Sequence, residues 1–144
     1  MDARTLSLPI SQLEFHPPIH IMLGTPVSEA IKVMQQHRYG GVLVVDEDEK
    51  LAGIVTERDL LVNVMGKQLD PAKTLAKDVM TPDPEALRAS DPVAFALNLM
   101  HFGHFRHVPL LVYDGDGNGY PVGMLTSKDI LNHVAKFLES SEEK

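Results

Sequence analysis

The sequence has no cysteine among its 144 residues, which excludes disulfide bonds, thiolate zinc sites and thiol catalysis. The absence fits a protein of the cytoplasm, where thiols are kept reduced, and this is the location that we expect. A chain of this length needs neither a metal nor a disulfide to fold, since a domain of about 150 residues buries roughly two-thirds of its unfolded surface. We therefore expect one folded module over residues 1–144.

Basic residues are also scarce, with 13 Lys and Arg against 20 Asp and Glu and a formal net charge of −7. A protein that follows nucleic-acid phosphates needs a basic patch, so no nucleic-acid partner is expected, although one small basic pocket is compatible with this charge. No apolar run approaches the roughly 20 residues that span a membrane, and no apolar segment follows Arg4 as a secretory signal requires. We expect no membrane insertion, and Met1 with the polar tail Ser140–Lys144 favours a complete gene product.

One pattern occurs twice in the chain: Gly53–Leu61 reads GIVTERDLL and Gly123–Leu131 reads GMLTSKDIL. A short apolar strand precedes each copy, VLVV from Val42 and VPLL from Val108. The stretches before these strands align as well, which indicates an internal repeat. The division that follows is repeat one at about residues 8–66, a linker at about 67–77 and repeat two at about 78–139.

Each repeat is predicted to run strand–helix–strand–strand–helix. The first helix would have Thr25 or Asp91 as its N-cap, with proline at the first helical position, and would stop at Gly40 or Gly103. A half of about 60 residues closes only a marginal core. The expected fold is therefore α+β, with two pseudo-symmetric β-α-β-β-α halves packed sheet to sheet.

The last helix of each repeat is apolar over more than one stripe, as in LLVNVM after Asp59 and ILNHVAKFL after Asp129. A helix that covers only its own sheet needs an apolar stripe of about 100°. The surplus predicts a second buried face, most simply a homodimer contact. The alternative is that these faces meet each other within one chain.

The repeated motif has two interpretations. Thr56 at a helix N-cap and Asp59 three residues later match a capping box, as do Thr126 and Asp129, and a capping box needs no ligand. The glycine three residues before each threonine instead indicates the close approach of another backbone or a ligand. A strand that runs directly into a helix also directs free N–H groups at the helix start, where phosphate binds.

A basic residue stands beside each aspartate, Arg58 in repeat one and Lys128 in repeat two. Hydroxyl, cation and carboxylate within four residues suit a nucleotide. The hydroxyl and the cation would meet phosphate, while the carboxylate would accept hydrogen bonds from ribose, as in dinucleotide-binding folds.

The twofold motif, the segment DVMTP from Asp78 and the strand RHVPL from Arg106 together resemble the cystathionine-β-synthase (CBS) domain pair, or Bateman module, over about residues 8–139. The resemblance implies two β-α-β-β-α units with facing sheets, dimers packed through helices, and two clefts that bind AMP, ADP, ATP or S-adenosylmethionine. It also implies a regulatory role on an attached or separate enzyme, transporter or kinase.

The resemblance further implies contacts of aspartate with ribose, of threonine with ribose or phosphate, and of the basic residue with phosphate. These residues are Asp59, Asp129, Thr56, Thr126, Arg58 and Lys128. Strand backbone and apolar walls would meet adenine, with Thr81–Pro84 lining one cleft and His16–Ile19 the other. The residues expected there are Ile19, Gly41, Val42, Thr81, Pro84, Arg106, His107, Val108 and Pro109.

The two copies are not expected to be equivalent. Repeat two has Arg106 and His107 where repeat one has two glycines, so it is richer in groups directed at phosphate. Repeat one lacks the DVMT run and has Gln12–Phe15 at the aligned positions. We expect tighter ligand binding at Asp129.

Two patterns that suggest metal sites are interpreted otherwise. Asp114–Gly119 begins like a calcium loop, but position twelve would be Leu125 rather than glutamate, so a hairpin turn is expected. His101, His104 and His107 would spread over roughly 300° of one helix and are not expected to hold zinc. No metal or other cofactor is expected to be required.

No catalytic constellation stands out, since the sequence has neither a nucleophile elbow nor a P-loop. The preferred hypothesis is a regulatory protein, not an enzyme, that binds an adenosyl ligand and modulates a partner enzyme or transporter. The alternative is a ligand-free dimeric interaction module in which the Thr-x-x-Asp motifs are helix caps.

Overall fold

The first repeat forms a four-stranded sheet in the computed structural model, which describes residues 6–103 and 106–142, with side chains up to residue 136. Its strands pair in chain order, with β1 parallel to β2 and the other two pairs antiparallel. They are β1 (His20–Met22), β2 (Gly41–Val45), β3 (Leu51–Thr56) and β4 (Thr81–Pro82). The predicted mixture of strands and helices is confirmed.

The helices of this repeat flank its strands. Helix α1 (Val27–His37) lies between β1 and β2, and the short α3 (Ala76–Val79) precedes β4. Helix α2 (Glu57–Asp59) follows β3 and continues as a π-helix over Leu60–Met65. The predicted N-cap at Thr56 is confirmed, but most of the segment winds more widely than an α-helix.

The predicted caps of α1 are wrong. Pro26, in extended conformation, takes the N-cap position, and the Thr25 hydroxyl accepts a hydrogen bond from the N–H of Met22 (3.1 Å) instead. At the other end Arg38 adopts a left-handed φ of 57°, and its N–H bonds to the carbonyls of the last turn. A left-handed residue closes the helix there, so the chain has turned before it reaches Gly40.

The second repeat consists of α4 (Val93–Gly103), β5 (His107–Tyr113), β6 (Gly119–Thr126) and α5 (Ser127–Glu142). Strands β5 and β6 pair in a two-stranded sheet. Single bridges extend it, with Leu87 parallel to Leu110 and His16 antiparallel to Met124. These bridges stand where the first repeat has β1 and β4. Asp91, an expected N-cap, uses its carboxylate to accept the N–H of Arg88 (2.7 Å).

Two compact units result, each with its own core. One comprises Ile19–Pro84 and Tyr113–Pro121, and the other comprises Glu85–Val112, the residues from Val122 onward and the described residues before Ile19. The segment before β4 therefore belongs with the first motif, and the N-terminal segment belongs with the second.

Aliphatic side chains fill both cores. Helix α1 contributes Val27, Ala30 and Met34 to the first, and α4 contributes Val93 and Ala96 to the second. Each motif helix is anchored in the core of its own unit, the first through Val64 and the second through Ile130. Within residues 6–103 and 106–142, none of the helices has the length and apolarity to cross a membrane.

Candidate functional site

Asp59 is buried in the first turn after the N-cap residue Thr56 and is hydrogen-bonded to that threonine. Its Oδ2 accepts hydrogen bonds from the Thr56 N–H (2.8 Å) and from the Thr56 hydroxyl (3.0 Å). The hydroxyl oxygen accepts the N–H of Asp59 in return (3.4 Å). The predicted capping box is confirmed in the first repeat.

Thr126 and Asp129 reproduce this arrangement at the start of α5. The carboxylate Oδ2 accepts the Thr126 N–H (2.8 Å) and hydroxyl (2.9 Å), and the hydroxyl oxygen accepts the Asp129 N–H (3.2 Å). Because the threonine hydroxyl has a single hydrogen, which it directs at the aspartate, it can only accept a hydrogen bond from a ligand. Such a hydroxyl suits a ribose hydroxyl better than a phosphate oxygen.

Most backbone N–H groups at the start of each motif helix already donate hydrogen bonds within the protein. The N–H of Glu57 donates to the carbonyl of Gly40 (3.0 Å), and that of Ser127 donates to the carbonyl of Arg106 (3.0 Å). Together with the capping box, these bonds use three of the first four N–H groups at each helix start. A phosphate would meet fewer donors there than the strand-to-helix pattern predicted.

The second carboxylate oxygen of each aspartate faces a neighbouring segment. Asp59 Oδ1 accepts the Thr81 hydroxyl (3.1 Å), whereas Asp129 Oδ1 lies 3.2 Å from Nε2 of His16. The two segments expected to line the clefts are therefore the ones that contact the motif aspartates. Among the described residues, three donors reach Asp59, so its carboxylate retains about one of its four acceptor positions.

The structure corrects the sequence alignment of these segments by one residue. Thr81 pairs with Ile54 in the first repeat, and His16 pairs with Met124 in the second. His16 thus takes the place of Thr81, although the sequence offset had placed Phe15 there. Residue identity could not reveal this, because each register matches one proline, Pro17 with Pro82 in the corrected register and Pro18 with Pro84 in the other.

The two motif glycines are required by packing. A Cβ on Gly53 would come within 2.5 Å of the Met80 sulfur and 2.8 Å of the Thr81 carbonyl oxygen. A Cβ on Gly123 would come within 2.6 Å of the Phe15 ring. The close approach that the sequence predicted is therefore made by the neighbouring segment of the same unit, and the glycines are accounted for without a ligand.

The other expected contacts of the first repeat lie around this motif. Gly41 and Val42 are buried in β2, where they pair with Thr56 and Val55. The Ile19 carbonyl accepts the N–H of Leu43 (3.1 Å) just before β1. The side chain of Arg58 is exposed, and Pro84 is half-buried after β4.

The second repeat places its expected contacts in equivalent positions. Val108 and Pro109 are buried in β5, and His107 is half-buried at its start. The carbonyl of Pro109 accepts the N–H of Leu87 (3.0 Å). The side chains of Arg106 and Lys128 are exposed.

A cavity of about 150 Å³ opens beside Asp129 within the second unit. Nζ of Lys136 lies 3.3 Å from Oε1 of Glu14 at its edge. The residues that line it are Gln12, Glu14, Asp129, Asn132, His133 and Lys136. The cavity is therefore polar and carries charges of both signs.

Asp114 closes the turn between β5 and β6, as expected for a hairpin. Its Oδ1 accepts the N–H groups of Asp116 and Asn118 (both 2.9 Å), and its Oδ2 accepts the Asn118 amide (3.0 Å) and the Tyr120 hydroxyl (3.3 Å). These bonds, that of the Asn118 amide foremost, lower the pKa of Asp114 to about 2. Leu125 is buried in β6.

The three histidines considered for zinc are not all described. His101 lies near the end of α4 and His107 starts β5, while His104 lies outside the described residues. In the described parts of the chain, no three His, Asp or Glu side chains are placed to hold a metal ion.

Comparison with known proteins gives a family match along most of the chain. A family model described as the CBS domain matches residues 10–66 and 76–136. The CBS domain-containing protein CBSCBSPB3 of Arabidopsis thaliana is 39% identical over 90 residues, which are 62% of this chain and 16% of that protein. An uncharacterized protein of Methanopyrus kandleri is 29% identical over 126 residues, 85% of this chain and 62% of that protein. The chain thus spans less than two-thirds of either relative.

Solved structures share the fold. A protein of Vibrio cholerae assigned to acetoin utilization (AcuB) superposes with a TM-score of 0.79 at 22% identity, covering 96% of this chain and 98% of its own. CBSX2, solved in complex with AMP, superposes with a TM-score of 0.71 at 26% identity, covering 90% of this chain and 98% of its own.

Proposed function

The chain belongs to the CBS domain family, and from that premise we propose that it is a regulatory protein that binds an adenosyl ligand through the motif aspartates. The ligand is AMP, ADP, ATP or S-adenosylmethionine. Its binding changes the affinity of the protein for a partner, an enzyme or a transporter, and the protein itself is not an enzyme.

The observation that carries this proposal is the burial of two carboxylates. Among the described residues, Asp59 and Asp129 are the only buried polar or charged side chains. Capping alone does not require a buried carboxylate, because a capping side chain can bond to the helix N–H groups at the protein surface. A carboxylate that is buried, fixed by a cap and left with an unused acceptor position is prepared to recognise a hydroxyl pair such as that of ribose.

The acceptor positions also restrict how ribose binds. One ribose hydroxyl can bond to Asp59 Oδ1 while Thr81 stays in place, and the neighbouring hydroxyl can donate to the Thr56 oxygen. If both ribose hydroxyls donate to the Asp59 carboxylate, the Thr81 hydroxyl has to give up its hydrogen bond to Oδ1. The proposal therefore assigns the hydroxyl pair to Thr56 and Asp59 together, and to Thr126 and Asp129 in the second repeat.

A relative supports the adenosyl class of ligand. CBSX2, which shares 26% identity and the same fold over most of its length, has been solved with AMP. The exposed side chains of Arg58 and Lys128 can turn towards a phosphate in solution, and the second repeat alone adds the exposed Arg106 and the half-buried His107. We therefore keep the expectation of tighter binding at Asp129.

Calorimetric titration with AMP, ADP, ATP and S-adenosylmethionine tests the proposal, with GMP as a control for the base. Replacing Asp59 or Asp129 by Asn keeps an oxygen for the cap but turns the free acceptor into a donor. A hydrogen bond to a charged group contributes about 1.5–3 kcal/mol, so we expect each variant to weaken one site roughly 10- to 100-fold.

Asp48→Asn, in the exposed turn after β2, is the matched control and should leave affinity unchanged. Melting temperatures of all variants show whether they fold, since a ligand of the native state raises the melting temperature. If none of the four ligands binds, or if both motif variants bind as the unmodified protein does, the proposal is wrong.

A ligand-free dimeric interaction module is the second candidate function. The complete capping boxes favour it, as does the packing of Met80 and Phe15 over the motif glycines, because both explain the motif without a ligand. Under this hypothesis, none of the adenosyl compounds raises the melting temperature, while the protein still dimerises.

A further inference from the structure

We propose that His16 is a positioning residue that makes nucleotide binding at the second motif increase as pH falls, while Thr81 leaves the first motif independent of pH. The inference rests on the proposed function and assigns a regulation to one of its two sites. It follows from one difference between two otherwise matched arrangements.

The two residues occupy equivalent places. Thr81 pairs with Ile54 and His16 pairs with Met124, each beside a motif glycine, and each contacts Oδ1 of the motif aspartate. The Thr81 hydroxyl stands 3.1 Å from Asp59, and His16 Nε2 stands 3.2 Å from Asp129. The two contacts are nearly equal in length, but the first involves a hydroxyl and the second an imidazole nitrogen.

The second motif has an imidazole where the first has a hydroxyl. Imidazole changes its charge between about pH 5 and 8, whereas a threonine hydroxyl stays neutral. The side chain of His16 keeps 35% of its exposure and can exchange protons with solvent, while that of Asp129 keeps 8%. Protonation of His16 therefore converts this contact into an ion pair with a largely buried carboxylate.

The ion pair changes what a phosphate encounters. With neutral His16, the negative charge of Asp129 opposes a nucleotide phosphate placed near it. With protonated His16, the pair is neutral overall, and the electrostatic repulsion between Asp129 and the phosphate is removed. Ribose recognition changes less, because the last acceptor position of the carboxylate and the Thr126 oxygen are available in both states.

Other charged groups from two elements line the cavity beside Asp129. Glu14 comes from the N-terminal segment, and His133 and Lys136 come from α5, along the cavity that Asp129 also lines. Glu14 and Lys136 pair with each other and are exposed, so they act as a fixed, screened background. His133 carries the other imidazole beside Asp129 and requires its own control.

Reciprocal substitution isolates the effect. Asp59→Asn weakens binding at the first motif, so that the second dominates, and AMP affinity is then measured by calorimetry at pH 6 and pH 8, with and without His16→Thr. With His16 present, we expect the affinity for AMP to be roughly three- to tenfold higher at pH 6 than at pH 8, because one negative charge is neutralised at a partly hydrated site. The His16→Thr variant should not show this increase. The ionisation of AMP itself is common to both proteins and cancels in the comparison.

The complementary pair uses Asp129→Asn to weaken binding at the second motif. Thr81→His in that background should confer the pH dependence on the first motif. Neutral adenosine, which has no phosphate, should show no such increase at either motif. His133→Gln should leave the increment at the second motif intact. His16→Gln replaces His16→Thr if the melting temperature shows that the latter does not fold.

The outcomes are distinct. Equal pH dependence with and without His16, or loss of the increment in His133→Gln, overturns this inference while leaving nucleotide binding established. Absence of AMP binding by the unmodified protein at both pH values overturns the proposed function and this inference together.

Discussion

The ring of Phe15 covers the backbone of Gly123, where a Cβ would come within 2.6 Å of the ring carbon Cδ2. Gly123→Ala should therefore lower the free energy of unfolding by about 1–3 kcal/mol, the usual cost of overpacking. Gly53→Ala should cost more, because its Cβ would also meet the Thr81 carbonyl oxygen at 2.8 Å, and a backbone atom cannot turn aside. Urea denaturation measures both.

Gly24→Ala is the matched control for these substitutions, since a Cβ there would have no atom within 4 Å. It should change stability by a few tenths of a kcal/mol at most. A loss as large as that of Gly53→Ala would contradict the packing explanation. Combining Gly123→Ala with Phe15→Leu should recover part of the loss, because the two changes share one contact.

Removal of a cap hydroxyl should destabilise each unit modestly. Thr126→Ala leaves the Asp129 N–H without its acceptor and removes one of the two donors to Asp129 Oδ2, so the expected loss is about 0.5–2 kcal/mol. Thr126→Ser keeps the hydroxyl and should recover most of this loss. If the serine variant were as unstable as the alanine variant, packing of the methyl group would matter more than the cap.

Asp114 should titrate far below an ordinary aspartate. Its pKa is lowered to about 2 from 3.8, chiefly by the Asn118 side-chain amide. Because the folded pKa is depressed, the stabilisation is complete above about pH 4 and is lost as pH falls from there through about 2. NMR titration of the Asp114 carboxyl carbon measures the midpoint, which Asn118→Ala should raise. A midpoint near 4 in the unmodified protein would contradict the turn geometry.

The elements that the sequence predicted well are those set by local pattern. Apolar spacing placed α1 and α4, and the motif itself placed both capping boxes, because a capping box involves only residues three apart. The glycine signal correctly indicated a close approach but could not say what approaches. Met80 and Phe15 do so, and they are distant in sequence from the glycines they cover.

The features that the sequence did not predict depend on tertiary pairing. His16 faces Asp129 because a single bridge to Met124 fixes its register, and residue identity does not select this register, since each of the two registers matches one proline. The π-helix after Asp59 is a second example. Its i→i+5 bonding, as in the N–H of Gly66 to the carbonyl of Leu61 (2.8 Å), leaves the apolar pattern nearly unchanged.

The helices that follow the motifs expose leucine at matching positions, Leu61 with 60% of its surface and Leu131 with 66%. Val62 and Met65 are also more than half exposed on the first of these helices, whereas Phe137 and Leu138 have side chains outside the described residues. We propose that these faces form the contact of a homodimer, because burying such apolar surface is favourable and a second copy offers a matching apolar surface.

Leu61→Asp combined with Leu131→Asp should therefore weaken the dimer, since each subunit would bury charge in the contact. Sedimentation velocity over a concentration series measures the dissociation constant, and we expect an increase of at least roughly 100-fold from about 3 kcal/mol of lost apolar burial and added charge. Val112→Asp, at a β5 residue that is 52% exposed, is the control and should leave the dimer intact. A monomeric unmodified protein, or a dimer that tolerates both aspartates, would contradict the assignment of this face.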